Sequence, residues 1–166
     1  MSNPHDEFMR LAIEEAWTAL RSGERPFGSV IVRDKKVVGR GRNIVNSTGD
    51  PTAHAETSAI RDATAKLKTP KLNGCTLYTS CHPCPMCAGA TLYSGADSIV
   101  IGVSPESLKR ISGGIYDLKD YDIEKLVKMI GLKLEVVTGV LEKEANEVFE
   151  AYQDWDVASP NLLRPN

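Results

Sequence analysis

Phe8, Leu11, Ala12, Ala16, Ala19 and Leu20 recur at helical spacing through residues 5–21, and Gly23 and Pro26 then break the pattern. This predicts an amphipathic first helix. The next stretch, "FGSVIVRDKKVVGRGRN", holds two β-rich runs, 27–33 and 36–43, joined by a polar turn at Asp34 and Lys35, and it predicts a hairpin. In "DPTAHAETSAIRDATAKL" a second helix is expected, with Asp50 as N-cap, Pro51 as first helical residue and an end near Leu67. A short strand follows at 75–80, then a third helix in "CPMCAGATLYSG" stopped by Gly95. The apolar run "SIVIGV" is typical of a strand covered on both faces. Beyond a polar region at 104–122, the pattern predicts a helix at 123–130, a strand at 132–140 and an amphipathic helix from about 142 to 155. Strands alternating with helices indicate a three-layer α/β architecture.

Length and charge narrow the class. At 166 residues the chain is long enough to bury one core without disulfides, so a single domain over 1–166 is expected. Hydrophobic content of 42% and charged content of 25% suit a soluble protein, and no apolar run approaches the roughly 18 residues of a membrane span. The amino end "MSNPHDEFMR" lacks a secretory pattern, and a cytoplasmic location without membrane attachment is expected. There, four clustered cysteines are metal ligands or buried thiols rather than disulfides. A formal charge of −2 argues against a nucleic-acid partner.

The chemistry concentrates in two places. Cys81, Cys84 and Cys87 read C-x-x-C-x-x-C, in which either adjacent pair can clamp zinc, and His54 and Glu56 open the second predicted helix. Cys84 and Cys87, three apart on a helix, share a face. His54 and Glu56 are separated by roughly 200° of helical rotation, so they converge only on a centre beyond the helix's N-terminal end. Two thiolates and an imidazole would leave zinc one open position, where water loses its proton near neutral pH and Glu56 accepts it. The rival arrangement adds Cys81 as a fourth ligand, closes the site and makes the zinc purely structural.

"HAE" at 54–56 and "PCPMC" at 83–87 form the two-part zinc deaminase signature. Through these, "PFGSVIV", "GRGRN", "DPTAHAE", "TLYTSCHPCPMCAGA" and a final helix, the chain resembles the cytidine deaminase superfamily. It looks most like the bacterial guanine deaminases, next the tRNA adenosine deaminases, then the fungal-type cytosine deaminases. The resemblance implies a three-layer α/β/α fold on a central mixed five-stranded sheet. It also implies one Zn2+ per subunit on His54, Cys84 and Cys87, with Glu56 as proton shuttle. It makes Asn43 a base-contacting residue, Phe27 and Tyr93 the aromatic residues bracketing the ring, and Asp117 a second acid, a role that Asp120 or Asp122 could fill instead. Many relatives have Glu where this chain has His82. The implied activity is hydrolytic deamination of a small nucleobase or nucleoside, guanine to xanthine first, with tRNA adenosine, cytosine or guanosine as alternatives. Family habit implies a homodimer. Residues 141–166, the last helix and tail, are expected to cap the site, with Trp155 and Asp156 as a lid.

Overall fold

The computed structural model describes residues 3–155. Helix α1 (Asp6–Arg21) leads into a hairpin of β1 (Gly28–Arg33) and β2 (Lys36–Arg42). A short α2 (Val45–Thr48) precedes α3 (Ala55–Leu67), β3 (Cys75–Cys81), α4 (Pro85–Ser94) and β4 (Ser98–Val103). Then come α5 (Pro105–Ile111), α6 (Ile123–Ile130), β5 (Glu135–Val137) and α7 (Glu142–Glu150). The hairpin turn falls at Asp34 and Lys35, both at positive φ (50° and 58°), a geometry whose twist matches that of the flanking strands.

The five strands lie in the order β2-β1-β3-β4-β5. β1 runs antiparallel to β2 and β3, whereas β3, β4 and β5 are mutually parallel. The mixed five-stranded sheet is therefore as expected. Alternate residues feed two cores, one on each face. Val30, Val32 and Val100 pack with Met9, Ile13 and Ala16 of α1 and Val148 and Phe149 of α7. Ile31, Ile99 and Ile101 pack with Ala59 and Ala63 of α3, Ala88 and Leu92 of α4 and Ile123 of α6. Helices thus cover both faces, which gives the three layers. Each large side chain buried this way contributes about 1.5–3 kcal/mol.

Four local expectations change. α3 starts at Ala55 rather than Pro51, because the Asp50 carboxylate closes a tight turn by accepting from the backbone N–H and hydroxyl of Thr52 (2.8 and 2.7 Å). The polar region 104–122 contains α5, whose Ser104 hydroxyl accepts from Ser107 N and whose first residue is Pro105. β5 keeps three residues of the predicted 132–140, and Gly139 at φ 76° lies just past it. α7 ends at Glu150 rather than 155.

Two glycines set how closely helices approach the hairpin. A Cβ on Gly28 would lie 2.2 Å from Ala12 O and Ala16 N of α1, and one on Gly41 would lie 2.2 Å from Ala55 O and Ala59 N of α3. Only a bare backbone fits either contact. Because α3 carries His54 and Glu56 at its start, Gly41 fixes the height of the chemistry above the sheet, while Gly28 fixes α1. Gly28→Ala and Gly41→Ala should each destabilise the fold by about 1–3 kcal/mol or more. Gly41→Ala alone should also weaken zinc retention against a chelator, read by thermal melts alongside metal release.

Candidate metal centre and active site

His54 and Cys84 hold the same position on their helices. Each is an N-cap residue with extended backbone (φ −73°, ψ 166° and φ −67°, ψ 165°), and neither side chain caps its own helix. Both side chains are therefore free to project beyond the helix start. Pro85 at the first position of α4 requires no N–H partner and pre-sets the helical φ, and Cys87 follows one turn in. His54 Nδ1 lies 3.6 Å from Cys84 Sγ and 3.5 Å from Cys87 Sγ, and all three donors fall within 4.8 Å of one another. Tetrahedral zinc with ordinary Zn–S and Zn–N lengths requires a sulfur-to-nitrogen separation of about 3.6 Å. The donor set and its spacing fit that ion.

The electrostatics suit metal capture. Cys84 is drawn down to about 4 by a hydrogen bond from Cys87, against the effect of burial, with His54 adding to the shift. Cys87 moves up, because it donates that hydrogen bond and is buried. Burial pulls the His54 imidazole down, but the hydrogen bond and charge of Cys84 outweigh it and the net shift is up. Cys84 thus gives up its proton readily, and metal binding would release those held by its partners.

Glu56, one residue into α3, is 5% exposed. Burial raises its proton affinity and the Cys84 charge raises it further. Thr79 Oγ1 on β3 lies 3.3 Å from Glu56 Oε1 and 3.1 Å from the Cys81 carbonyl, so its single proton is shared between them. Cys81 itself stands apart from the three-donor cluster. It is buried against the α1 and α7 core, its Sγ lies 3.6 Å from the His82 carbonyl, and burial pushes its thiol well up. Cys75 is buried in the opposite core.

The expected substrate residues divide. Phe27 packs tilted against Tyr116 (5.9 Å between centroids) and edge-on against Phe149 (5.4 Å). Trp155 lies over Phe149 (6.5 Å, 21° between planes) and is 9% exposed, so it joins the same aromatic group. Asn43 is buried; its backbone N–H donates to Phe27 O and its Oδ1 accepts from Val45 N, which leaves the amide NH2 as the group for a ligand. Asp156 lies outside the described residues.

Two expectations are corrected. Tyr93 is 72% exposed near the C-terminal end of α4, whereas the ligands sit at its start. The helical spacing from Cys87 to Tyr93 carries it away from the ring-binding end. Asp117 is clasped by Lys119 Nζ (2.9 Å) and Lys109 Nζ (3.0 Å), and hydrogen bonds from Lys119, then from Lys109, hold its carboxyl well below the usual range. It offers no free carboxylate as a second acid. Asp122 caps α6 by accepting from Glu124 N and Lys125 N, and Asp120 is exposed.

The same loop supplies what the sequence reading missed. Burial lifts the Tyr116 hydroxyl well up, and the charges of Cys81, Cys84, Glu56 and Cys87 add to the shift. Burial likewise lifts Tyr121, with Cys84, Cys87 and Glu56 contributing. Both phenols therefore lie within electrostatic reach of the centre. His82 is 3% exposed and packs edge-on against Tyr121 at 5.6 Å, and burial chiefly lowers its proton affinity. Tyrosines inside a polar loop have no periodicity to mark them, so nothing in the sequence singled them out.

Comparison with known proteins places this arrangement. Residues 2–103, more than half of the chain, match the family described as the cytidine and deoxycytidylate deaminase zinc-binding region. A guanine deaminase of Bacillus subtilis is 45% identical over 91 residues, 54% of this chain and 58% of that enzyme, so the match spans little more than half of the relative. A tRNA-specific adenosine deaminase of Haemophilus influenzae is 34% identical over 148 residues, 89% of this chain and 82% of that enzyme. Among solved structures, a guanine deaminase from Nitrosomonas europaea superposes with a TM-score of 0.78 at 26% identity, over 92% of this chain and 85% of that one. The chain therefore belongs to the cytidine and deoxycytidylate deaminase family, with His54, Cys84 and Cys87 as its candidate zinc site.

Proposed function

We propose that this zinc-type deaminase acts on a free purine base, guanine first, and yields xanthine and ammonia. The observation that carries the choice is the aromatic group. Phe27 contacts both Tyr116, on which the charges of Cys84 and Glu56 act, and Phe149, over which Trp155 lies, and such a group favours a small flat ring over a polynucleotide. The 45% identity to a guanine deaminase over 91 residues supports the same reading.

His54, Cys84 and Cys87 would hold the ion, which when bound supplies a Lewis acid that lets water lose its proton near neutral pH. The rest is the work of Glu56. Its buried carboxylate takes the proton of the attacking water, passes it to the adjacent ring nitrogen as oxygen adds to C2, and returns a second proton to the exocyclic nitrogen as the C2–N bond breaks. Its raised proton affinity suits a group that must hold a proton midway through the cycle. Thr79 keeps one carboxylate oxygen oriented, and the aromatic group and Asn43 hold the ring plane.

One finding favours a second reading, adenosine in a tRNA loop. The tRNA-specific relative aligns over 89% of this chain, against 54% for the guanine deaminase of Bacillus subtilis, so the acidic balance of the chain does not exclude a nucleic-acid substrate. Side-by-side ammonia release separates the two. Free guanine should turn over far faster than adenosine in an anticodon stem-loop and with little dependence on salt; a faster stem-loop reaction that falls steeply with salt would replace guanine with tRNA.

Two further outcomes are expected. Glu56→Gln should keep its zinc and its melting temperature while turnover falls by about 10² to 10⁴. Near-normal turnover would remove Glu56 from the proton path. His54→Ala, Cys84→Ala and Cys87→Ala should each lose zinc by elemental analysis, whereas Cys81→Ala and Cys75→Ala should retain one ion per chain; zinc loss from Cys81→Ala would contradict the three-ligand site.

A further inference from the structure

Arg25 occupies the connection between α1 and β1, two residues before Phe27. Its Nε is buried without a hydrogen-bond partner, and among the described residues no ion pair includes it. A partly buried guanidinium left unpaired is uncommon, since burying a charge is costly unless it is compensated. The adjacent carboxylate does not compensate it. Glu24 uses Oε2 to accept from Asn46 N (2.9 Å) and Oε1 to accept from Ser47 N (2.7 Å), tying down the start of α2.

Arg25 is also close to the chemistry. Its carbonyl accepts from Phe27 N (2.8 Å), Phe27 O in turn accepts from Asn43 N (3.0 Å), and Ile44 N donates to the carbonyl of Ala53, the neighbour of His54 (3.1 Å). Arg25 is thus tied to the strand ends that carry Phe27 and Asn43, and its charge reaches both His54 and Tyr152, which packs edge-on against Trp155. Two chemistries attract a lone guanidinium there, a phosphate or a neutral edge with two acceptors. The carboxylates of Glu24 and Asp154, which line one cleft with Tyr152, oppose a phosphate. A neutral edge meets no such opposition. The fork of Arg matches adjacent carbonyl and ring-nitrogen acceptors, and O6 with N7 of guanine is its commonest base partner.

We propose that Arg25 is a specificity-determining residue whose guanidinium reads the O6 and N7 edge of the purine while the 2-amino group faces Glu56. This rests on the guanine reading above. It explains why a donor is left unpaired at this point: a site built to hydrogen-bond a carbonyl rejects the analogue that lacks it.

The test compares guanine with 2-aminopurine, which carries the same leaving amine but no O6. The native protein should favour guanine in kcat/KM by about 10-fold to 100-fold, the span of one good bidentate pair. In Arg25→Met that advantage should fall to within about 3-fold, with zinc content and melting temperature retained, and Arg25→Lys should fall between. No preference in the native protein, or an undiminished preference in Arg25→Met, overturns the proposal. So does a loss confined to guanosine monophosphate, which would make Arg25 a phosphate contact. Calorimetric binding of hypoxanthine against unsubstituted purine provides an arm without turnover. Should the native protein leave guanine intact, the guanine reaction falls, and a hypoxanthine preference that vanishes in Arg25→Met still sustains the edge contact, whereas one that persists overturns it.

Discussion

The N-terminal ends of α3 and α4 point at one spot, and nearly all the chemistry follows from that convergence. A helix start leaves backbone N–H groups unpaired and carries roughly half a positive charge. Two such ends facing each other repel unless something negative lies between them. The Cys84 thiolate, its proton affinity drawn down to about 4, meets that need, and the same field favours further deprotonation when an ion arrives. Glu56 lies in the same field, yet burial and the Cys84 charge prevail and its proton affinity rises. One arrangement thus produces a ligand that readily gives up its proton and a base that can hold one.

The convergence in turn depends on small residues. Gly39 and Gly41 on β2 allow Ala59 and Ala63 of α3 to lie against the strand backbone, where any added Cβ would collide. α4 reaches the spot from the other side, with only three residues between it and the end of β3. Parallel pairing of β3 with β4 places the carboxyl ends of both strands near the ligands, the usual location of a site in an open α/β sheet.

Much of this was legible in the sequence because it is local. H-x-E at a helix start and C-x-x-C at another are short patterns whose geometry is largely fixed by helix periodicity, and His54, as the N-cap of α3, does stand at the helix start. The strands β1 to β4 and the helix at 123–130 followed from periodicity. What failed was long-range. Asp117 reads as a free acid until Lys109 and Lys119 are found around it, and Tyr93 reads as a ring partner until its helix is seen to carry it outward. Tyr116 and Tyr121, on which the charges of the centre act, sit in a loop without periodicity. Arg25 drew no attention, since an arginine beside a proline is ordinary until its missing partner is noticed.

An open site with three protein ligands can be read out by zinc K-edge X-ray absorption on the purified protein. The spectrum should show two sulfur scatterers near 2.3 Å, with one imidazole nitrogen and one further light-atom ligand near 2.0–2.1 Å. The light-atom ligand should change when a substrate analogue binds. Three sulfur scatterers with one imidazole, unaltered by any analogue, would mean that Cys81 closes the site and that the zinc is structural.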